Sequence, residues 1–269
     1  MGAPREDFHN GRYSRQLLCD DFNEGDQRRL LDSRVVILGA GGLGSPIIQY
    51  LAGVGVGTIR IVDAGEVKLS NLHRQVIYAV DDIGEPKVES AARFVERLNP
   101  DVTVEPHRAR FTRENADSIV ANADVVLDGL DNFRGRFLAN DITRIEDTPF
   151  VHGGIYGWEG QAAVFVPGGP CYRCLVPEVP EDAGVRDDEP MAVIPPVPGV
   201  IGAVQAAEAI KILLRRERLL DDRVLRFDAT DASFLETPLQ RSEHCGLCGP
   251  DGIDSIEDID YDGRCRIRR

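Results

Sequence analysis

A glycine-rich turn near the start of the chain has the spacing of a phosphate-binding loop. Gly39, Gly41, Gly42 and Gly44 follow an apolar run and open a helical pattern. In such turns the first glycine allows a tight bend, the second lets a phosphate approach the backbone, and the last permits close packing of helix on strand. Free N–H groups at the helix N-terminus favour an anion, and Asp63, which ends the next apolar run, can accept from ribose hydroxyls. The turn alone is typical of any nucleotide or dinucleotide binder.

Two cysteine pairs offer a second kind of chemistry. Cys171 and Cys174 form one Cys-x-x-Cys knuckle, and Cys245 and Cys248 form another, each beside turn-forming residues. Four thiolates in two short chelating loops fit tetrahedral Zn²⁺ with no open position, so we expect a structural site. The alternatives are disulfides, which a reducing compartment disfavours, and a redox motif, which needs only one pair. We expect His244, next to the second pair, to be a bystander.

A third group consists of mostly polar and charged residues in short motifs between residues 15 and 132. Arg15 and Arg74 could be ordinary surface ion-pair residues, Gly42 could serve packing alone, and Asp131 could cap the helix predicted after it. Lys87 could be a surface residue, but a cation in the first turn of a helix opposes the helix dipole. The group comprises Arg15, Ser70, Asn71, Leu72, His73, Arg74, Gln75, Lys87, Asp131 and Asn132.

The composition restricts the classes of protein that the chain can belong to. With 269 residues, 42% of them hydrophobic, it can bury one sizeable α/β core. It lacks a run of 18 uncharged apolar residues and a signal-peptide pattern, which predicts a cytoplasmic protein without a membrane partner. A net charge of −14 argues against direct nucleic-acid binding. An acidic chain with only three lysines suits the salt-rich cytoplasm of a halophile, although an acidic enzyme from a GC-rich genome is the alternative.

Strands alternate with helices up to residue 148, which predicts a parallel sheet with helices on both faces. The fold class is therefore α/β, with a doubly wound (Rossmann-like) sheet that is parallel in its first half, a structural zinc knuckle and a C-terminal strand region. We expect a long loop over 177–199 and a flexible tail over 250–269. The predicted elements are a βαβ unit over 34–63, helices from Pro86 to Leu98 and over 115–121, 133–146 and 199–214 (Ile201, Val204 and Ala207 inward), and strands over 102–104, 123–128, 149–153, 161–166, 224–227 and 233–237.

These motifs, taken in order, resemble those of the adenylyltransferases that activate ubiquitin-like proteins, the MoeB/ThiF group and its archaeal counterparts. The resemblance covers about residues 10–249, which we interpret as a single domain with a nucleotide-binding half (34–148) and a zinc- and carrier-binding half (149–249). The motifs are Arg12-Tyr-Ser-Arg15-Gln16, the glycine turn, Ser70-Asn71-Leu72 with Arg74-Gln75, Gly84-x-Pro86-Lys87, Asp128 with Asp131-Asn132, Gly160-Gln161 and Cys171-Tyr-Arg-Cys174.

The resemblance implies a reaction. A ubiquitin-like β-grasp protein ending in Gly-Gly presents its C-terminal carboxylate to the α-phosphate of ATP, giving an acyl-adenylate and pyrophosphate. The product serves protein conjugation and sulfur transfer to molybdopterin or tRNA. Bringing an anion to a nucleotide requires fixed positive charge and a metal ion.

The resemblance also implies residue roles. Arg74 and Lys87 would neutralise the phosphates, and Asp131 would hold Mg²⁺. Relatives are homodimers in which an N-terminal arginine, here Arg15, crosses into the partner's site. The implied nucleotide-binding set is Gly41, Gly42, Asp63 (to the ribose), Ser70, Asn71, Leu72, His73, Arg74, Gln75, Lys87, Asp131 and Asn132.

The chain departs from the family pattern at one position. Some members carry a cysteine there that forms a thioester or persulfide with the ubiquitin-like protein. Alignment on Gly199 and Gly202 puts Asp188 at this position, and there is no cysteine between Cys174 and Cys245. Aspartate lacks a sulfur nucleophile. Three explanations of this departure are open. The protein forms only the adenylate, the cysteine was replaced by engineering, or the loop is aligned out of register.

Three other functions compete with this one. A nicotinamide-dependent dehydrogenase would use the same glycine turn but leaves Arg74, Lys87, Asp131 and the cysteine pairs unexplained. An enzyme that adenylates a tRNA base would need a basic face. A catalytically silent scaffold would hold a β-grasp partner through residues 177–199 and the C-terminal strands.

Overall fold

The computed structural model describes residues 11–179, 192–257, 259–261, 265 and 267. The helices are α1 (Glu24–Asp32), α2 (Gly44–Val54), α3 (Lys87–Leu98), α4 (Ala116–Val120), α5 (Phe133–Ile145), α6 (Tyr172–Leu175) and α7 (Pro196–Leu213). The strands are β1 (Arg34–Leu38), β2 (Thr58–Val62), β3 (Thr103–His107), β4 (Val125–Asp128), β5 (Phe150–Tyr156), β6 (Glu159–Phe165), β7 (Arg223–Asp228) and β8 (Ser233–Pro238).

The eight strands form one sheet in the order β3-β2-β1-β4-β5-β6-β7-β8. Pairing is parallel from β3 to β5 and antiparallel from β5 to β8. The predicted doubly wound sheet, parallel in its first half, is therefore confirmed. The β5–β6 hairpin is longer than predicted because pairing continues to Tyr156 and Glu159, past the glycines at 153 and 154.

Two apolar layers cover the sheet. Helices α2, α3 and α7 contribute to one core on one face, and α4 and α5 contribute to the other. Among the described residues, α7 has the length and composition that could cross a membrane, but half of it is buried. It packs against α2, β5 and β6, as a core helix does. It starts at Pro196, earlier than predicted, since proline is favoured in the first turn of a helix.

The carboxyl ends of β1, β2 and β4 meet at one edge of the sheet. Leu38 at the end of β1 pairs with Val62 on one side and with Asp128 on the other. The glycine turn, Asp63 and the loop before α5 follow directly from these strand ends. In a parallel sheet this edge is where ligands bind.

The described part of the segment after residue 249 differs from the flexible tail expected above. Ile256 and Cys265 are buried. The Tyr261 hydroxyl donates to the Asp141 carboxylate (2.7 Å), and the Cys265 carbonyl accepts from Arg173 (2.6 Å). The charged composition predicted solvation, but these contacts hold the described residues against the domain.

Candidate nucleotide site and four-cysteine cluster

The glycine turn adopts the conformation that its sequence predicts. Gly39 has a φ of +94°, in the left-handed region that glycine tolerates best. A Cβ on Gly44 would overlap the carbonyl oxygen of Gly39, so the helix start and the strand end are in close contact. A Cβ on Gly41 would have only the Gln75 amide nearby, at 3.8 Å. The backbone at Gly41 is therefore open to a ligand.

Asp63 organises the turn from the neighbouring strand. One carboxylate oxygen accepts from the N–H of Ala40 (2.8 Å), and the other accepts from the N–H of Gly65 (2.7 Å). The Lys87 ammonium lies 3.9 Å from the same carboxylate, and both side chains are 15% exposed. A cation and an anion thus lie beside the glycine turn.

Tyr78 supports this arrangement, and the sequence did not indicate it. Its hydroxyl donates to the Ala40 carbonyl (2.9 Å) and lies 3.3 Å from the Lys87 carbonyl. Burial raises the pKa of Tyr78, so the hydroxyl keeps its proton as a donor. The residue joins the glycine turn to the start of α3.

The segment from Ser70 to Gln75 covers the turn. The Arg74 guanidinium donates to the Ser70 carbonyl (3.1 Å) and contacts the ring of His73 (2.7 Å). Burial lowers the pKa of Arg74, and the charge of Asp131 opposes that shift. A Cβ on Gly42 would stand 3.3 Å from Pro198 Cβ and 3.4 Å from Arg74 Cδ, so Gly42 packs directly beside both side chains.

Asn71 and Gln75 are the most buried polar residues of this segment. The Asn71 carboxamide oxygen accepts from the N–H of Lys68 (3.1 Å) and shapes the turn. The Gln75 carboxamide oxygen is buried and has no hydrogen-bond partner within the described structure. Leu72 packs against the apolar core, which is a structural role.

Asp131 is exposed, and it is not the cap of α5. Asn132 takes that role, since its side-chain oxygen accepts from the N–H of Gly135 (2.8 Å). The Asn132 amide also lies 3.3 Å from the Asp131 carboxylate. The capping alternative for Asp131 is therefore excluded, and its negative charge acts on Arg74, whose pKa it raises against the effect of burial.

One predicted site residue, Arg15, is not brought to the glycine turn of its own chain. Arg15 is exposed and precedes Gln16, whose side chain donates to the Val54 carbonyl at the C-terminal end of α2 (3.1 Å). Eleven helical residues span about 16 Å, so Arg15 lies at the other end of α2 from the turn of its own chain. Asp188 lies outside the described residues.

The four cysteines predicted to bind zinc form one cluster, and His244 is not part of it. All four are free thiols, with sulfur atoms within 4.8 Å of one another. A tetrahedral Zn²⁺ with bonds of about 2.3 Å separates its sulfur ligands by about 3.8 Å. The cluster is therefore compatible with a zinc knuckle and not with disulfides. The sulfur–sulfur distances are 3.9 Å for Cys171–Cys174, 3.6 Å for Cys171–Cys245 and 3.3 Å for Cys174–Cys248.

Backbone donors surround the sulfurs. The N–H of Ser242 points to Cys174 Sγ (3.4 Å), and the N–H of Cys248 points to Cys245 Sγ (3.5 Å). Such outer contacts orient thiolate ligands. The first knuckle is tied to α5 by Arg173, which donates twice to the buried Asp141 carboxylate (2.8 and 2.5 Å).

A buried polar network at the end of β4 was missed by the sequence reasoning. One Asp128 oxygen lies 2.7 Å from both Arg136 Nε and His152 Nδ1, and the other accepts from the N–H of Leu130 (3.0 Å). Burial would raise the pKa of Asp128, but Arg136 and His152 hold it below its ordinary value. Gln205 donates to the Asp128 carbonyl (2.8 Å). The sequence offers no local signal for this network, because its side chains come from the separate elements β4, β5, α5 and α7.

Comparison with known sequences gives matches over almost the whole chain. The model of the ThiF family matches residues 13–247. The SAMP-activating enzyme E1 of Haloferax volcanii is 52% identical over 95% of this chain and 95% of its own length. The sulfur carrier protein adenylyltransferase of Thermus thermophilus is 41% identical over 96% and 97%. The adenylyltransferase and sulfurtransferase MOCS3 of Anopheles gambiae is 39% identical, and the match spans 96% of this chain but 58% of that relative.

Solved structures give the same result for the fold. The complex of E. coli MccB with ATP superposes with a TM-score of 0.80 and 25% identity, covering 90% of this chain and 76% of that chain. The complex of E. coli MccB with AMPCPP and selenomethionine MccA has a TM-score of 0.80 and 25% identity, covering 91% and 76%.

Proposed function

The chain belongs to the ThiF family, and from that premise we propose that it uses ATP to adenylate the C-terminal Gly-Gly carboxylate of a ubiquitin-like or sulfur-carrier protein. The adenylated carrier serves protein conjugation and sulfur transfer to molybdopterin and tRNA. The observation that carries this proposal is the meeting of Lys87, Asp63 and the glycine turn at the carboxyl edge of the sheet. Relatives that match nearly end to end are named as a SAMP-activating enzyme and a sulfur carrier protein adenylyltransferase.

The residues present fit a nucleotide. The open backbone at Gly41 lies beside the amide nitrogen of Gln75, a donor that could reach a phosphate oxygen. The family and a relative solved with ATP support ATP binding. In this proposal Arg74 and Lys87 neutralise the phosphates, and Asp63 accepts from the ribose.

The other nucleotide contacts follow the same proposal. The glycine turn supplies backbone N–H groups, and Asp131 holds Mg²⁺, which would neutralise phosphate charge when bound. The remaining members of the proposed set are Gly42, Ser70, Asn71, Leu72, His73, Gln75 and Asn132.

We assign Arg15 to the partner subunit's site in a homodimer. Its position at the far end of α2 supports a role outside its own chain's site. A mixed dimer tests this assignment: an Arg15→Ala chain paired with a Lys87→Met chain should regain half of the exchange activity, because one of its two sites is intact. A purified dimer that contains one chain of each variant and shows no exchange would contradict it.

Zn²⁺ in the four-cysteine cluster is proposed as a structural ion, since four thiolates leave no coordination position for a substrate.

We also propose a single domain over residues 1–249, with a nucleotide-binding half and a carrier-binding half. A salt-rich cytoplasm is proposed as its location, on the net charge of −14.

At residue 188 we propose that the chain forms an acyl-adenylate but no thioester, because an aspartate carboxylate lacks the sulfur nucleophile. A reducing-agent-sensitive conjugate mapped to the loop around Asp188 would refute this. Asp188→Cys should gain such a conjugate if the alignment of the loop is right.

The test of the function is ATP–pyrophosphate exchange. Purified protein with Mg²⁺ should incorporate labelled pyrophosphate into ATP only when a carrier ending in Gly-Gly is present. The matched control is the same carrier with its last two residues removed. Exchange that is absent with every candidate carrier, or that ignores the Gly-Gly end, contradicts the proposal.

A further inference from the structure

A line of hydrogen bonds leads from the buried Asp128 to the partly exposed Gln161. Asp128 and His152 Nδ1 lie 2.7 Å apart, and His152 Nε2 lies 3.2 Å from the Gln161 amide nitrogen. His152 is fully buried, and burial lowers its pKa, so the ring is neutral near pH 7. A carboxylate can only accept hydrogen bonds. The ring proton is therefore on Nδ1, which leaves Nε2 as an acceptor.

This tautomer decides which way the Gln161 carboxamide faces. An imidazole nitrogen with a lone pair must receive a hydrogen, and the only donor of a glutamine side chain is its NH₂ group. The NH₂ of Gln161 is thus turned towards His152, and its carboxamide oxygen is turned away. The oxygen remains an acceptor for a ligand.

Gln161 lies where the hairpin of β5 and β6 extends beyond the parallel strands. Pairing between β4 and β5 ends at Val151, whereas pairing between β5 and β6 continues to Tyr156. Gly154 pairs with Gln161 in this extension. Because Gly154 has no side chain, the Gln161 side chain lies across it: a Cβ on Gly154 would stand 3.4 Å from Gln161 Cγ and 3.5 Å from its amide nitrogen. The Gln161 carboxamide is thus packed on the sheet of this extension.

The same carboxylate also shapes the nucleotide side of the site. Asp128 accepts from the N–H of Leu130, in the loop that carries Asp131. Asp128 therefore fixes both the loop that we assign to the metal and, through His152, the orientation of Gln161. A tail lying along this extension would reach the nucleotide edge of the sheet.

We propose that Gln161 is a positioning residue for the carrier's C-terminal tail, whose peptide N–H donates to the Gln161 carboxamide oxygen, and that Asp128 and His152 hold that carboxamide in place. This proposal rests on the proposed function. It names a contact made with the carrier and not with ATP.

The first test is Gln161→Met, which keeps the length of the side chain and removes the acceptor. Losing one neutral hydrogen bond costs about 0.5–1.5 kcal/mol, so the KM for the carrier in the exchange assay should rise about 2–10-fold. The KM for ATP should stay unchanged.

The control is Gln49→Met, the same change at a partly buried glutamine of α2, which should alter neither KM. His152→Gln should raise the carrier KM because Gln161 then loses its fixed orientation.

A second measurement identifies the hydrogen bond itself. Two semisynthetic carriers are made, each with one of the last two peptide N–H groups replaced by an ester oxygen. For the carrier whose replaced N–H is the one that donates to Gln161, the ester and Gln161→Met together should raise the carrier KM no more than either change alone. Independent costs for both esters, or a carrier KM that Gln161→Met leaves unchanged, would overturn the proposal. If the wild-type protein shows no exchange, the proposed function itself has failed.

Discussion

The Lys87 ammonium lies 3.9 Å from the Asp63 carboxylate, with both groups only 15% exposed. Asp63 follows β2 and Lys87 starts α3, so the pair joins two consecutive elements beside the glycine turn. A cation at the start of a helix opposes the helix dipole, and the contact with Asp63 offsets that cost. Lys87 is therefore held beside the glycine turn and is not a freely solvated surface residue.

Replacing Lys87 should separate activity from folding. Lys87→Met removes a charge that we assign to the phosphates, and loss of a single preorganised donor to developing charge costs about 10²–10³ in rate. We expect a fall of that order in the exchange rate with an intact cooperative unfolding transition. Lys211→Met, on α7, is the matched control and should leave the exchange rate unchanged. Equal losses in both variants would show that Lys87 has no special role.

The close approach at the glycine turn predicts opposite effects at two glycines of the same helix. Gly44→Ala would drive a methyl group against the Gly39 carbonyl, which costs at least about 1–3 kcal/mol in the free energy of unfolding. Gly53 has no atom within 4 Å of where a Cβ would stand. Gly53→Ala should therefore stabilise the helix by about 0.5–1 kcal/mol. Urea unfolding measures both changes, and a Gly44→Ala variant as stable as the wild type would contradict the described packing.

The parallel half of the fold could be predicted from the sequence because each of its elements has a clear period. The βαβ unit over 34–63 was correct to within a residue or two. Helix α7 shows the limit of this reasoning. It is apolar on every side, so its period does not identify the inward face. Of the residues predicted to face inward, Ile201 is buried and Val204 packs against the core, but Ala207 is exposed, and the structure buries Gln205 and Glu208 instead.

The residues of the candidate site also divide into those that local spacing reveals and those that it does not. Residues close in sequence, such as those of the glycine turn and the two cysteine knuckles, were predicted because local spacing defines their geometry. The contact of Tyr78 with Ala40 and that of His152 with Asp128 depend on side chains from separate elements. Such tertiary contacts leave no local pattern in a single sequence. Asp131 was weighed as a cap, but the cap is Asn132.

The cysteine cluster predicts one zinc ion per chain, bound for stability. Removing zinc with a strong chelator should lower the melting temperature, because the four sulfurs take up protons and the two knuckles lose the ion that cross-links them. Cys245→Ser should abolish stoichiometric zinc in metal analysis. Cys19→Ser, at an exposed cysteine outside the cluster, is the control and should retain the ion. Full zinc content in Cys245→Ser would be inconsistent with a four-thiolate site.

The buried His152 predicts a pH dependence of folding. Burial lowers its pKa, against the opposing effect of Asp128, and Arg136 and Tyr172 also face the ring. The unfolded chain, with a histidine pKa of about 6.5, therefore binds a proton before the folded chain does. This contribution to stability is complete above that pH and is lost as the pH falls towards the folded pKa, by up to about 1.4 kcal/mol per pH unit.

Urea unfolding at constant salt between about pH 7.5 and 5.5 measures this slope of the free energy of unfolding, in the range above most carboxylate pKa values. His152→Gln should remove the slope, and His244→Gln, at an exposed histidine, should keep it. If His152→Gln unfolds with the wild-type pH dependence, the buried ring is not the group that titrates.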